Sequence, residues 1–325
     1  MKAEILAALR KSDGYVSGQE LCGKFGVSRT AIWKAINQLK QAGYEIEAVQ
    51  NRGYHIVSTP DILSENELRS IRKTQWLGNK IYYEPVMDST NTKAMQLAEQ
   101  GAPHGTIVVT DHQVSGRGRR GKTWETPAGE SIAMTLLLRP KIDPNNASML
   151  TLVAAMAVAR GIEDEAGLRV GIKWPNDIII NRKKVSGILT EMSAQADYVN
   201  HIVVGIGINV HEDEFPEELH NIATSVFLEI GIKINRAALI ERICEYFEAY
   251  FELFLRTEDL SGLAKQYDAY MVNRNQQVKV LDAKDSFEGT ARGITSRGEL
   301  LVDTWEERRL VSSGEVSVRG IYGYV

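Results

Sequence analysis

The hydrophobic period changes twice along the 325-residue chain, and one core cannot absorb both changes. Residues 1–57 carry helical apolar spacing followed by a short hairpin pattern. From about residue 64 onward, strands alternate with helices. After Asn273 the texture turns to short strands separated by glycine turns. The sequence therefore predicts a head with its linker at 1–63, a mixed-sheet α/β body at 64–272 and a small β-barrel at 273–325.

The head has the pattern of a winged helix-turn-helix. A first helix ends near Ser12-Asp-Gly14. Ser17 with Glu20 makes a capping box for a second, which closes at Phe25-Gly26. Ser28 then caps RTAIWKAINQLKQAG, whose Ile32, Ala35, Ile36 and Leu39 follow the i, i+3, i+4, i+7 spacing, with Gly43 just past the end. Residues 44–49 and 54–57 read as two strands forming a wing. In such a module the second helix of the pair enters the major groove. The predicted DNA contacts are Ser28, Arg29, Thr30 and Lys34 at its outward start, with Arg52 at the wing tip. Trp33 lies beside the apolar stripe, either at the core edge or facing DNA. A solvated basic face on a structural three-helix module is the bland alternative.

Charge supports a polyanion partner at the head alone. Residues 1–57 hold eight Lys/Arg against five Asp/Glu, whereas the remainder holds thirty against thirty-seven. No apolar run approaches the about twenty residues that a membrane helix needs, and the N-terminus has no cleavage signature. Cys22 and Cys244 are too far apart for a metal or redox spacing, which fits a reducing cytoplasm and excludes a disulfide scaffold. Pro60 among the polar residues 58–66 predicts a hinge, and Ser64 with Glu67 caps the next helix.

Five segments of the body carry chemistry. Gly116-Arg-Gly-Arg-Arg-Gly-Lys-Thr123 matches the letters of a P-loop, but Trp124-Glu-Thr-Pro127-Ala-Gly129 breaks any following helix and Ser131–Leu138 reads as a strand. Arg117, Arg119, Arg120 and Lys122 repel one another in a flexible loop, which predicts mobility until an anion orders it; a solvated surface loop is the alternative. Ser89-Thr90-Asn91 precedes a helix, so Ser89 or Thr90 either caps it or binds a ligand. Lys173-Trp-Pro-Asn-Asp177 interrupts two apolar strands with polar groups. In KVSGILTE (184–191), Gly187 lets a ligand approach the backbone, and GIGINV (205–210) is a glycine-interrupted strand ending in Asn209.

Taken in order, Ser89-Thr90-Asn91, Gln113 with GRGRRG, KWPND, KVSGILTE, GIGINV and the 313–319 segment resemble the biotin–protein ligases. With the winged head, the chain resembles the bifunctional bacterial form that is also the biotin-operon repressor. The resemblance implies a class II synthetase-like ligase fold for the body and an SH3-like C-terminal barrel. It implies that biotin carboxylate attacks the α-phosphate of ATP, taken with Mg²⁺, giving biotinyl-5′-adenylate and pyrophosphate. A lysine of the biotin carboxyl carrier protein of acetyl-CoA or pyruvate carboxylase then attacks the anhydride.

Carried over by position, Ser89, Thr90, Asn91, Gln113, Gly116, Arg117, Gly118, Arg119, Lys184 and Gly187 would bind biotin. Arg119, Arg120, Lys122, Trp124, Lys173, Asn176 and Asn209 would serve ATP, with Arg119, Lys184 and Asp177 catalytic and no fixed protein metal site beyond Mg²⁺ near Asp177. Many relatives have arginine where Lys122 stands; lysine keeps the charge but loses the bidentate fork. The family further implies an adenylate-bound homodimer on a palindromic operator. The competing readings are a non-catalytic metabolite-sensing repressor, a lipoate–protein ligase, which lacks the GRGRRG loop and the head, and a P-loop ATPase.

Overall fold

The structure is a computed structural model and describes residues 1–195, 197–281, 285–313 and 317–320. The head folds as its local signals require. Helices α1 (Lys2–Lys11), α2 (Gly18–Phe25) and α3 (Arg29–Gln41) precede the hairpin β1 (Glu45–Val49) and β2 (Gly53–Ser58). The Ser17 and Ser28 hydroxyls accept from the Glu20 and Ala31 amides at 3.0 and 3.2 Å. Both thus satisfy donors that a helix start leaves open. Ile5, Leu9, Leu21, Ile32, Ile36 and Leu39 form a core separate from the rest of the molecule. Trp33 is 56% exposed, so it faces outward with Arg29, Thr30 and Lys34. A Cβ on Gly53 would meet the Val16 carbonyl at 2.1 Å, so only glycine lets the wing pair with the α1–α2 connection.

The expected hinge is clasped rather than free. Helix α4 (Glu65–Ile71), capped by Ser64, brings Glu67 to a position 1% exposed. Its carboxylate takes Arg10 Nη2 at 2.6 Å and the Tyr44 hydroxyl at 2.5 Å, both from the head. A buried carboxylate needs such partners, and here they come from across the linker.

The body is built on one seven-stranded sheet. Its strands are β3 (Lys80–Met87), β4 (Thr106–Gln113), β5 (Ser131–Leu138), β6 (Gly171–Lys173), β7 (Asp177–Ile180), β8 (Lys183–Ala194) and β9 (Val199–Asn209), in the order β3-β4-β5-β9-β8-β7-β6. Only β3 and β4 run parallel; every other neighbouring pair is antiparallel. Alternation along the strands sorts the two faces. Ile132, Met134, Leu136, Val204 and Ile206 pack against α6 (Leu150–Ala166) and α8 (Arg236–Thr257), whereas Leu137 and Val203 pack against α5 (Thr90–Glu99). Helix α6 is apolar nearly all round and is correspondingly buried. The sequence pattern reads as a helix over 146–166, but its start is a 3₁₀ turn, Pro144–Met149, with Asp143 accepting from the Asn145 amide. Helix α7 (Val226–Ile230) is an addition that the sequence pattern did not reveal, and α9 (Ala264–Tyr270) closes the body.

Strands β10 (Gln277–Leu281), β11 (Phe287–Ile294), β12 (Leu300–Asp303), β13 (Arg308–Val311) and β14 (Ser317–Gly320) form the expected five-stranded β-rich unit, antiparallel in the order β13-β12-β11-β10-β14. The sequence reads strands over 277–283 and 316–319 here; their ends at Ala283 and Val316 lie outside the described residues, as does 314–316 of the 313–319 segment. This sheet shares the hydrophobic core of the body, with Val278, Val302 and Val318 in one cluster with Trp174 and Phe247. Trp174 Nε1 donates to the Gly298 carbonyl at 3.0 Å across that boundary. Among the described residues, no helix is long and apolar enough to cross a membrane.

Candidate active site

The sheet's register brings three glycines together in the floor of a cleft. Lys173, Asp177, Gly187, Gly207, Ala133 and Thr110 are successive cross-strand partners from β6 to β4. One row nearer the sheet's other end, Leu189, Gly205 and Thr135 are partners in the same way. Cross-strand partners share a face, so the glycines hollow the α5 face where a sheet would ordinarily carry bulk. An added Cβ at Gly205 would lie 2.1 Å from Asn91 Oδ1, and one at Gly207 would lie 2.4 Å from Trp124 Nε1. The resulting open cleft has about 450 Å³ of empty space.

One end of the cleft is a neutral amide–hydroxyl lattice. Ser89, Thr90 and Asn91 sit at the start of α5 and are each 4% exposed. Ser89 occupies the N-cap position but makes no side-chain capping bond. Gln113 Oε1 accepts from the Thr90 amide at 2.9 Å and from its hydroxyl at 3.1 Å, and Gln113 Nε2 donates to Thr126 at 3.2 Å. The Thr135 hydroxyl lies 2.7 Å from Asn91 Oδ1 and 2.8 Å from Thr90 Oγ1. Asn91 Nδ2 donates to Glu191 Oε2 at 2.7 Å and to the Leu189 carbonyl at 3.2 Å. Every amide orientation here is set by a partner, which suits recognition of a small polar ring with fixed donors and acceptors.

The other end is cationic. The GRGRRG loop is a closed turn: Gly118 donates to the Lys122 carbonyl at 2.7 Å, Trp124 donates to Gly116 at 2.9 Å, and Arg120 takes φ +58°. Strand β5 follows without a helix, which removes the P-loop reading. Gly116 admits no Cβ, because one would meet the Trp124 carbonyl at 2.1 Å. Arg117 pairs with Glu191 at 3.1 Å; Arg119 donates to Asn176 Oδ1 at 2.9 Å and to the Ser313 carbonyl at 2.7 Å. Burial pulls the Arg119 guanidinium below its ordinary pKa, with Asp177 opposing. Lys184 Nζ lies 2.5 Å from Asp177 and 5.4 Å from the Trp124 ring centroid. Lys173 is buried beside this row, and burial pushes its amine down to about 8 against the pull of Asp177.

The cleft thus gathers Ser89, Thr90, Asn91, Gln113, Arg117, Gly118, Arg119, Trp124, Asn176, Lys184 and Gly187. Asp177 reaches it through its ion pair with Lys184. Lys122 and Asn209 line a second cavity that shares only Trp124 and Lys184 with the first; Asn209 Nδ2 there donates to the Thr224 carbonyl at 3.0 Å. Arg120 turns away to a third, beside Pro144, Asn145 and Met192. Sequence reasoning missed Thr126, Thr135 and the positioning carboxylate Glu191, and it gave Gly205 and Gly207 no place at the site. Thr135 carried a signal, as the polar residue at the centre of SIAMTLLL. Among the described residues no group of three or more His, Cys, Asp or Glu side chains is placed to hold a metal ion.

The chain is similar to known proteins along its length. Residues 83–209 match the biotin/lipoate A/B protein ligase family, residues 2–55 an HTH domain, and residues 275–319 the biotin protein ligase C-terminal domain. The bifunctional ligase/repressor BirA of Bacillus subtilis is 40% identical over 306 residues, covering 94% of each chain. That of Escherichia coli is 28% identical over 314 residues, covering 97% of this chain and 96% of its own. The biotin protein ligase of Aquifex aeolicus in complex with biotin and ATP superposes with a TM-score of 0.67 at 29% identity, covering 74% of this chain and 99% of that one. Helix-turn-helix, ligase and C-terminal domains follow in the same order, and the chain belongs to the biotin–protein ligases, in the bifunctional ligase/repressor family.

Proposed function

We propose that the chain is an ATP-dependent biotin–[carboxyl carrier protein] ligase whose intermediate, biotinyl-5′-adenylate, is also the corepressor of biotin synthesis and transport genes. The observation that carries this reading is the junction at Glu191, which holds Asn91 of the neutral lattice and Arg117 of the cationic loop on one oxygen. A ligand spanning that junction has a polar neutral ring at one end and an anion at the other. Biotin is such a molecule.

In the first step a biotin carboxylate oxygen bonds to the α-phosphorus of ATP, entering as its Mg²⁺ complex, and pyrophosphate leaves. Two anions must meet, so the demand is for preorganised cations rather than a protein nucleophile. Ser89, Thr90, Asn91 and Gln113 hold the ring. Gly116 and Gly118 let the loop close, and Arg117, Arg119 and Lys184 offset charge on the carboxylate and phosphates, with Gly187 leaving them room. Asp177 holds Lys184 in place until phosphate competes for it. Trp124, Asn176, Asn209, Lys122, Arg120 and Lys173 serve the nucleotide side. In the second step a carrier lysine amine attacks the acyl carbon, AMP leaves, and the amine loses its proton.

The head, 1–63, would place Ser28, Arg29, Thr30, Trp33, Lys34 and Arg52 on a palindromic operator when adenylate-bound copies of the 64–272 and 273–325 domains pair as a homodimer. The two cysteines, which have no metal or disulfide spacing, suit a cytoplasmic setting.

The test is exchange of labelled pyrophosphate into ATP with biotin or lipoate as the acid. Exchange with biotin alone is expected. Exchange with lipoate alone would assign the sister activity. No exchange with either acid, alongside intact DNA binding, would make the body a sensor.

A further inference from the structure

The linker meets the body at a buried ionic junction that the catalytic reading does not use. Arg236, the first residue of α8, is 2% exposed. Its backbone amide and Nε each lie 2.8 Å from the two oxygens of Asp61, a linker residue. Its Nη1 donates to Asp111 at 3.0 Å and to the Ser131 carbonyl at 3.1 Å. The Tyr83 hydroxyl takes the second Asp111 oxygen at 2.6 Å, and His211 Nδ1 lies 3.4 Å from Asp61.

The contacts to the body land next to Gln113 of the cleft and Asn209 of the second cavity. Asp111 precedes Gln113 by two positions on β4, so the strand Arg236 grips through Asp111 delivers Gln113 to Thr90 on the opposite face two residues later. Ser131 is the cross-strand partner of Asn209, and His211 follows Asn209 by two. One guanidinium therefore touches the linker, the strand that delivers Gln113 and the strand end that pairs with Asn209. A fold that needed only stability here would be served as well by apolar packing, since a buried ion pair adds little net stability but fixes geometry. Only an arginine fork spans two carboxylates and a carbonyl at once.

We infer that Arg236 is a positioning residue for the ligase reaction, holding Gln113 and Asn209 in register, and that Asp61 makes that register depend on the linker of the DNA-binding head. This rests on the ligase reading of the cleft. By reciprocity, whatever biotin does to the linker, the linker must do to biotin affinity.

The experiment uses the full chain. Asp61→Asn keeps the shape of a half-buried side chain outside the cleft, and Arg236→Lys keeps charge but loses the fork. Biotin-dependent pyrophosphate exchange is measured as kcat and as KM for biotin. Amide hydrogen exchange is followed at residues 59–63 with and without biotin plus ATP. Both variants are expected to raise the biotin KM roughly tenfold, an ordinary size for coupling between sites, while Asp61→Asn leaves kcat unchanged. In the unaltered chain biotin plus ATP slows exchange at 59–63, and in Asp61→Asn that protection is lost. An unchanged KM with protection retained in Asp61→Asn overturns the inference, as does an equal fall in kcat and thermal stability with KM unmoved, the mark of a merely structural role. If the unaltered chain shows no biotin-dependent exchange, the ligase reading fails and takes the positioning role with it.

Discussion

The two ends of the cleft solve recognition in opposite ways. At the ring end, Thr90, Asn91, Gln113, Thr135 and Glu191 bond one another into a lattice. At the anion end, Arg117, Arg119 and Lys184 lean on Glu191, Asn176 and Asp177, partners that a phosphate or carboxylate can replace. The first end is rigid, so its contacts should act equally on bound substrate and transition state. The second meets charge that grows during the reaction, so its contacts should act mainly on rate. A site can thus divide affinity from turnover along its length.

That division is open to test, beginning with the largest effect. Arg119→Ala should lower the exchange rate by about a hundredfold or more, the usual loss when a preorganised charge contact is removed, with biotin binding by calorimetry much less affected. Full retention of rate would take that arginine out of the mechanism. Gly207→Ala should follow, because its Cβ would meet Trp124 Nε1 at 2.4 Å; displacing the indole should weaken binding at both ends, and a defect confined to one would show that Trp124 does not join them. Gln113→Ala should raise the biotin KM by roughly tenfold, the worth of a well-placed hydrogen bond or two, with kcat within about twofold. A fall in kcat alone would erase the contrast between the ends.

The smallest effect is one of pH and stability, at Lys173. Its folded pKa, about 8, lies below the ordinary lysine value of 10.5. A depressed lysine favours folding above the unfolded value and loses that contribution as pH falls towards 8, where the buried amine takes its proton. Lys173→Met should therefore stabilise the chain at neutral pH, by at most about 3 kcal/mol, with the gain shrinking between pH 8 and 10.5. Denaturant melts across that range read it. A gain that does not vary with pH would mean packing rather than charge.

What could be read from the sequence depended on how far apart the interacting residues lie. Ser17, Gly26, Ser28 and the Ile32–Leu39 stripe act over a single turn, so the head was legible almost residue for residue. In the cleft, Gln113, Lys184 and Gly187 were legible only because they sit inside ordered motifs. Thr135 and Gly205 were not, because their place depends on the register of β5, β9 and β8, which no local pattern states. Glu191 stood within a quoted motif, yet its task appears only when Asn91, 100 positions away, and Arg117, 74 positions away, arrive on the same oxygen. The linker misled for the same reason: Pro60 and its polar neighbours look like a hinge until Glu67 and Asp61 find their distant cations.

The continuous core beneath the C-terminal sheet bears on how the molecule comes apart. Three regions divide the chain by sequence texture, but the C-terminal sheet shares its main hydrophobic cluster with the body while the head has one of its own, and Trp174 ties the last sheet to the body. Cooperative melting follows shared apolar contacts, so heating should reveal two calorimetric transitions rather than three. Losing the C-terminal sheet would then not leave a slower ligase but an opened one, its interior apolar residues offered to water and to other copies of itself.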